Sequence, residues 1–523
     1  MLDLLWGIGG MIVIIAIALL FSVDRRRIRI RTVALALALQ VGFGVLVLYV
    51  PAGRAALETV TLGVQAVINS SGAGIDFLFG PVLPEEGSVF AFQVLPVIVF
   101  FAALTSVLYH LGVLQWVVKI IGGGLAKLLG TSTPESMNAA ANIFVGQTEA
   151  PLVIRPYVAA MSRSELFAVM CGGLATVAGS VLVGYSLLGA PLEYLIAASF
   201  MAAPAALLMA KLLVPSGALE DAPAPADGAD DDGARPGAGG PAQEDEERTG
   251  RRGVRQWLAG GARRGATSYA ALELTRRPDA PAAEGTDADH GGAGSTTTGR
   301  PGDDVGAAGT GHPGDADGTV GTGAPGDATR TSDSEPVSAT GTAGDAEGED
   351  DEPANVIDAA ARGASDGLSL ALNVGAMLIA FISLIALVNV VLGAVGGLFG
   401  LEALTLEQLF GYVFAPVMFA VGVPWSEALD AGSFLGQKLV LNEFVAFADF
   451  APQIGDYSPK TQAIVTFALT GFANFGSLAI LLGGLGGIAP SRRADIARLG
   501  LLSVLGGTLA NLMSATIAGM LIG

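Results

Sequence analysis

NAAANIFVGQTEAPLVIRPYVAA (138–160) and DAGSFLGQKLVLNEFVAFADF (430–450) are too apolar for surface loops and too polar for ordinary membrane spans. Each carries a glutamate, Glu149 or Glu443, in a break between two short apolar arms. Gly146 and Pro151 mark the first break and Asn442 marks the second. Ser132-x-x-Glu135, with Pro134 inside it, precedes the first stretch and has the pattern of a helix start. Ser458-Pro459 starts a new helix after the second. Short arms meeting at a polar tip predict two re-entrant helical hairpins, over 131–161 and 427–457. Irregular backbone at membrane depth is tolerated only where protein or a water-filled cavity covers it.

The rest of the chain supplies such a cover. Hydrophobic residues make up 51% of 523, and mean hydropathy is +0.57. These values point to an integral membrane protein. Runs of about 20 apolar residues cross a bilayer. Eight such runs stand at 4–22, 32–50, 89–112, 165–190, 193–214, 367–396, 461–486 and 499–521. The expected fold is therefore all-α and polytopic. Basic loops stay cytoplasmic. Arg25, Arg26, Arg27, Arg29 and Arg31 put the first loop inside, and Arg492, Arg493 and Arg498 do the same for the last. Both termini are then extracellular. The first run follows Asp3 and precedes the arginines, the reverse of a cleavable signal peptide. Residues 114–130 predict an amphipathic helix at the cytoplasmic surface, with Lys119 and Lys127 on its wet side.

The formal charge of −20 belongs to one segment. Residues 216–355 hold 28 acids and 11 bases, a net −17, against 20 acids and 17 bases elsewhere, a net −3. This Gly-, Asp-, Ala-, Thr- and Pro-rich insert cannot bury enough apolar surface to fold. Its basic stretch 251–277, with Trp257 and Tyr269, suits either the anionic inner leaflet or solvent. Cys171 is the only cysteine, and His110, His290 and His312 are scattered, so neither a disulfide nor a Cys- or His-based metal site is expected.

A repeat links the two hairpins. Each is followed by a span with a Gly-Ser interruption, GGLATVAGSVLVG (172–184) and TGFANFGSLAILLGG (470–484). The first unit starts from the cytoplasm and the second from outside, so they are inverted copies. Inverted repeats with discontinuous helices place a transporter's substrate and ions near the midplane. A carboxylate at the bilayer centre costs about 2.5–3.5 kcal/mol on insertion scales, which makes Glu149 and Glu443 functional candidates. The bland alternative is a helix-pinning hydrogen bond or a pair with Arg155 or Lys438. Gln147-Thr148-Glu149 offers an amide, a hydroxyl and a carboxylate to a heterocyclic base. Glu443 and Asn474 suit vicinal hydroxyls. Asn142 and Ser180, with freed carbonyls beside them, would make an oxygen shell for a hard cation such as Na⁺. Spacing does not separate that from ordinary interhelical hydrogen bonds. His110 reads as a satisfied or interfacial histidine rather than a proton relay, and Cys171 as packing.

On these residues the chain resembles the concentrative nucleoside transporter family. The resemblance is carried by FAFQVLPVIVFFAALTSVLYHLG (90–112), ESMNAAANIFVGQTEAPLVIRPY (135–157), ATVAGSVLVGY (175–185), NVIDAAARGASDGLSLALNVGAMLIAFISLIAL (355–387), AGSFLGQKLVLNEFVAF (431–447) and GFANFGSLAI (471–480). It implies a homotrimer with a scaffold on the third and sixth spans, and a hairpin-bearing transport domain that moves like an elevator. It implies base contacts at Gly146, Gln147, Thr148 and Glu149, and ribose contacts at Glu443, Phe472, Asn474 and Ser477. It implies a Na⁺ site of the Asn142 and Ser180 side chains with the Val145 and Val181 carbonyls. Some members use protons, and Asn142 with Ser180 leans toward sodium. The long insert departs from the usual bacterial pattern.

The expected organisation is N-terminal spans and an interfacial segment (1–88), the third span and amphipathic helix (89–130), the first hairpin and repeat (131–215), a disordered acidic cytoplasmic insert (216–352), the sixth, scaffold span (353–400), and the second hairpin and repeat (401–523). The expected function is sodium-coupled nucleoside uptake across the cytoplasmic membrane. A proton-coupled symporter is the alternative, and a membrane nucleoside sensor signalling through the insert is a third reading. No nucleophile–base set or metal cluster lies in the membrane body, so an enzyme is not expected, nor is a nucleic-acid partner. The expected partners are the nucleoside, the lipid bilayer and two further copies of the chain.

Overall fold

The computed structural model describes residues 2–84, 89–219, 353–398, 400 and 404–523. The basic stretch 251–277 and the whole of 220–352 lie outside the described residues. All regular structure among the described residues is helical.

α1 (Leu2–Leu20) and α2 (Ile30–Gly44, prolonged by a π turn to Tyr49) are the first two apolar runs. α3 (Pro51–Ser70) and α4 (Gly72–Phe79) follow. α5 (Phe90–Gln93) and α6 (Leu95–His110) form the third run. α7 (Val113–Leu129) buries Leu114, Val118, Gly122, Leu125 and Leu129, a stripe at helical spacing, and leaves Lys127 exposed.

The first hairpin opens with α8 (Thr133–Ala141), capped where the sequence predicted. Glu135 Oε1 accepts from the Ser132 amide at 2.7 Å. Irregular backbone runs from Asn142 to Glu149, and a 3₁₀ turn (Ala150–Ile154) and α9 (Arg155–Val158) form the return arm. The broken span follows as α10 (Arg163–Ala175) and α11 (Gly179–Leu188), then α12 (Leu192–Leu213).

α13 (Val356–Gly397) is 42 residues long, with Asn355 Oδ1 accepting from the amides of Ile357 at 2.9 Å and Asp358 at 3.0 Å. The expected span 367–396 was therefore short at its N-terminal end, because the cap lies ahead of the apolar run. α14 (Leu406–Val421) and α15 (Trp425–Val440) meet at a bend of 116° around Gly422, whose φ is +124°. α14 was not foreseen as an element; at 16 residues it is shorter than a full span. α16 (Glu443–Phe450) returns the second hairpin, with Asn442 Oδ1 accepting from the Val445 amide at 2.8 Å. α17 (Pro459–Leu469) and α18 (Phe475–Ile488) are the second broken span, and α19 (Arg493–Ile522) ends the chain.

Seven helices among the described residues are long and apolar enough to cross a membrane. The eighth expected span, 461–486, is split, and neither α17 nor α18 alone is that long. Both halves of the molecule carry the same series: long apolar helix, shorter helix, hairpin, broken span, long helix. That series runs from α5 with α6, taken as one span of 21 residues, to α12 and again from α13 to α19.

Burial divides the body. In an 18-residue apolar window of each span, 94% of residues are buried within 163–188 and within 192–213, against only 17% within 90–110 and 11% within 356–397. α6 and α13 pack against each other through a glycine seam. A Cβ on Gly363 would stand 2.6 Å from Ser106 Cβ, and one on Gly367 2.6 Å from Ala102 Cβ. Small residues let membrane helices approach to backbone contact. At the foot of the first hairpin Lys211 Nζ of α12 reaches Glu135 Oε2 at 2.6 Å, both side chains at most 6% exposed. At the foot of the second the Ser458 hydroxyl donates to Glu427 Oε2 at 2.9 Å.

Candidate functional site at the paired helix breaks

The tip of the first hairpin is built around a close approach. Glu149 Oε2 accepts from the Gly146 amide. A Cβ on Gly146 would lie 2.5 Å from that oxygen, so any other residue there displaces the Glu149 carboxylate. Gln147 is buried, and a Cβ on Gly173 of α10 would meet its Cβ at 2.8 Å. Its Oε1 has no hydrogen-bond partner. Thr148 leans the other way, onto the second repeat. A Cβ on Gly484 of α18 would meet the Thr148 Cγ2 at 2.7 Å. Glu149 itself is exposed.

At the second tip, Glu443 is the first residue of α16 and 5% exposed. Its carboxylate accepts from the Tyr185 hydroxyl at 3.0 Å and from Asn474 Nδ2 at 2.8 Å. Asn474 also caps α18, its Oδ1 accepting from the Ser477 amide at 2.6 Å. Asn474 and Ser477 are buried and Phe472 half-buried. The Phe472 amide donates to the Thr176 carbonyl at 3.1 Å, which joins the two broken spans at their breaks.

The four expected cation ligands come from two segments held together by one backbone bond. The Gly179 amide donates to the Phe144 carbonyl at 3.1 Å, bringing the Asn142–Val145 turn to the start of α11, where Ser180 and Val181 stand. Asn142 is fully buried. Its Nδ2 donates to the Asn138 carbonyl at 3.0 Å, while its Oδ1 has no partner.

Three participants were not anticipated. Tyr185 holds Glu443 from 258 residues away and stacks on Phe447, with centroids 4.4 Å apart. Lys438, considered only as a partner for a glutamate, instead donates to the Ala468 carbonyl at 2.7 Å and to Asn511 Oδ1 at 2.8 Å. Asn511 Nδ2 donates to the carbonyls of Ala175 at 2.7 Å and Thr470 at 2.8 Å, one at each break. Tyr185 closes the quoted ATVAGSVLVGY block, and Lys438 is the one basic residue inside LGQKLVLNEF; these were the available signals.

Two helix breaks, two hairpin tips and buried acceptors among them make the cradle of a membrane transporter. Family models agree along the chain. "Na+ dependent nucleoside transporter N-terminus" matches residues 9–82, "Nucleoside recognition" 91–192, and "Na+ dependent nucleoside transporter C-terminus" 325–519. The chain is 46% identical to the uncharacterized transporter YutK of Bacillus subtilis, over 100% of both chains. It is 39% identical to the nucleoside permease NupC of Helicobacter pylori, over 99% of this chain and 98% of that one. The solved structure of CNTnw in an inward-facing substrate-bound state is 43% identical, with a TM-score of 0.72 over 99% of this chain and 98% of that one. The chain belongs to the concentrative nucleoside transporter family, a family of membrane transporters and not of enzymes.

Proposed function

We propose that the protein takes up nucleosides across the cytoplasmic membrane by symport with Na⁺. In this reading Gln147, Thr148 and Glu149, beside Gly146, hold the base. Glu443, Asn474 and Ser477, with Phe472 alongside, hold the ribose. The Asn142 and Ser180 side chains and the Val145 and Val181 carbonyls hold the cation.

The observation that carries the reading is the fully buried, unpartnered Oδ1 of Asn142, in a turn bonded to the start of α11, the helix whose Tyr185 holds the Glu443 carboxylate. An acceptor left unsatisfied in the interior costs about 1–3 kcal/mol, which a bound ligand recovers. Hard cations take oxygen ligands. The family's description as Na⁺ dependent supports the choice of ion.

Transport follows an elevator in which the hairpins and broken spans move against the α6–α13 pair, which also forms the centre of a homotrimer. The sparse burial of that pair within one chain supports this role. Both termini are extracellular and 216–352 is cytoplasmic, supported by the arginine clusters in the first and last loops.

The test is uptake of labelled uridine and adenosine by the full chain in liposomes. An inward Na⁺ gradient accelerates uptake, and replacing sodium with choline removes the acceleration. Uptake that persists in choline and follows a pH gradient instead assigns the coupling to protons. Uptake indifferent to both gradients ends the symport reading.

A further inference from the structure

Lys438 sits in the last turn of α15 and is 0% exposed. A lysine in such a place needs a reason, because burying an ammonium without a carboxylate partner is expensive. Glu443, five residues on, already receives Tyr185 and Asn474. The Lys438 ammonium is surrounded by oxygen acceptors of another kind. One is the carbonyl of Ala468, in the last turn of α17, and the other is the Asn511 amide oxygen. Asn511 in turn holds the carbonyls of Ala175, the last residue of α10, and Thr470, which follows α17.

The last carbonyls of a helix have no partner inside it, and they carry the negative end of its dipole. Here two half-helices end at membrane depth, with their C-terminal carbonyls converging on Asn511 and Lys438. Continuous helices do not create that demand for positive charge at their middle.

The matching junction of the first repeat lies where the end of α8 meets the last turn of α10. A Cβ on Gly172 would stand 3.2 Å from the Nδ2 atoms of both Asn138 and Asn142. Both asparagines are fully buried, and the Oδ1 of each lacks a partner. One junction therefore holds a cation on a four-carbon tether. The other presents two buried amide oxygens to which nothing donates.

We propose that the Lys438 ammonium is the resident cation of the second repeat. It does permanently, at the end of α17, what the coupling cation does reversibly beside Asn142. This rests on the sodium-coupled reading of the first junction. Lys438 is a positioning residue: it holds the break that presents Phe472 and Asn474 rather than touching the nucleoside. One consequence is that a single exchangeable cation serves the pair of junctions.

The experiment compares equilibrium binding of uridine and adenosine to the purified full chain with its sodium dependence. Lys438→Arg keeps the charge and stays within about threefold of the unaltered protein, while Lys438→Met keeps the stem and loses at least about tenfold in affinity with the same gel-filtration profile. Binding by Lys438→Met at the unaltered level overturns the proposal. If that variant does not fold, the sodium titration of the unaltered protein decides. First-order dependence is expected, and second-order dependence means a further cation serves the second junction and overturns the assignment. Wild-type binding and uptake with no sodium dependence would sink the coupling reading, while the Arg and Met comparison still tests Lys438.

Discussion

The two repeats solve one folding problem with different chemistry. Each must seat a hairpin against a helix that stops at membrane depth. In the second repeat the seat is saturated: the side chains of Lys438, Asn511, Asn442 and Asn474 all have hydrogen-bond partners, and Glu443 has two. In the first repeat the seat is left open, with Asn138, Asn142 and Gln147 each keeping an unpartnered buried oxygen. The feet show the opposite bias, a buried ion pair Lys211–Glu135 under the first hairpin and a serine–glutamate bond under the second. Symmetry of chain path thus does not impose symmetry of charge. On the function proposed above, the open seat is where exchangeable ligands have acceptors to satisfy, and the closed seat is where the protein has supplied its own.

The comparison breaks most visibly at the feet. Lys211→Met strands a buried carboxylate and costs about 3–5 kcal/mol in detergent unfolding, and adding Glu135→Leu recovers most of that. Ser458→Ala at the other foot costs only about 1 kcal/mol. Equal losses would mean the feet are equivalent after all. The tips come next. Glu443→Gln lowers uridine affinity about 100-fold, since two hydrogen bonds to a charge are weakened, and Glu149→Gln about tenfold, measured by equilibrium binding. A larger effect at Glu149 would reverse the assignment of the closed and open seats.

Asn142→Ala then tests the open seat directly. The sodium concentration for half-maximal uptake rises about tenfold, while nucleoside affinity at saturating sodium stays within about threefold. An unchanged sodium requirement removes Asn142 from the cation site. The smallest effect is at the contact between the repeats. Gly484→Ala pushes Thr148 and lowers affinity about threefold to tenfold, by the usual cost of overpacking. Gly483→Ala, which meets nothing within 4 Å, serves as its control and leaves affinity unchanged.

The hairpins and breaks were legible because their markers are local. Ser132-Pro134-Glu135, Asn442, Ser458-Pro459 and Asn474 cap helices within three residues of themselves, so the chain announces them. α14 was not legible, since 16 residues with Glu407 in the first turn and Pro416 inside resemble a loop approaching a hairpin. Tyr185, Lys438 and Asn511 were hidden for another reason. Their partners lie 258, 30 and 73, and 336 and 41 residues away, and no periodicity encodes such distances. The inverted repeat was visible as order and spacing, but the difference in charge between its copies needed coordinates.

The length of α13 has a mechanical consequence. Its 42 residues extend about 63 Å at 1.5 Å per residue, against a hydrocarbon layer of about 30 Å. The first eleven, 356–366, carry Asp358, Arg362 and Asp366 and precede the apolar run. Asn355 is therefore held as though on a mast, about 16 Å beyond the apolar part of the helix. The chain enters α13 there at the end of a stiff rod braced by the glycine seam with α6. A pull at that point is passed first to α6, through Gly363 and Gly367.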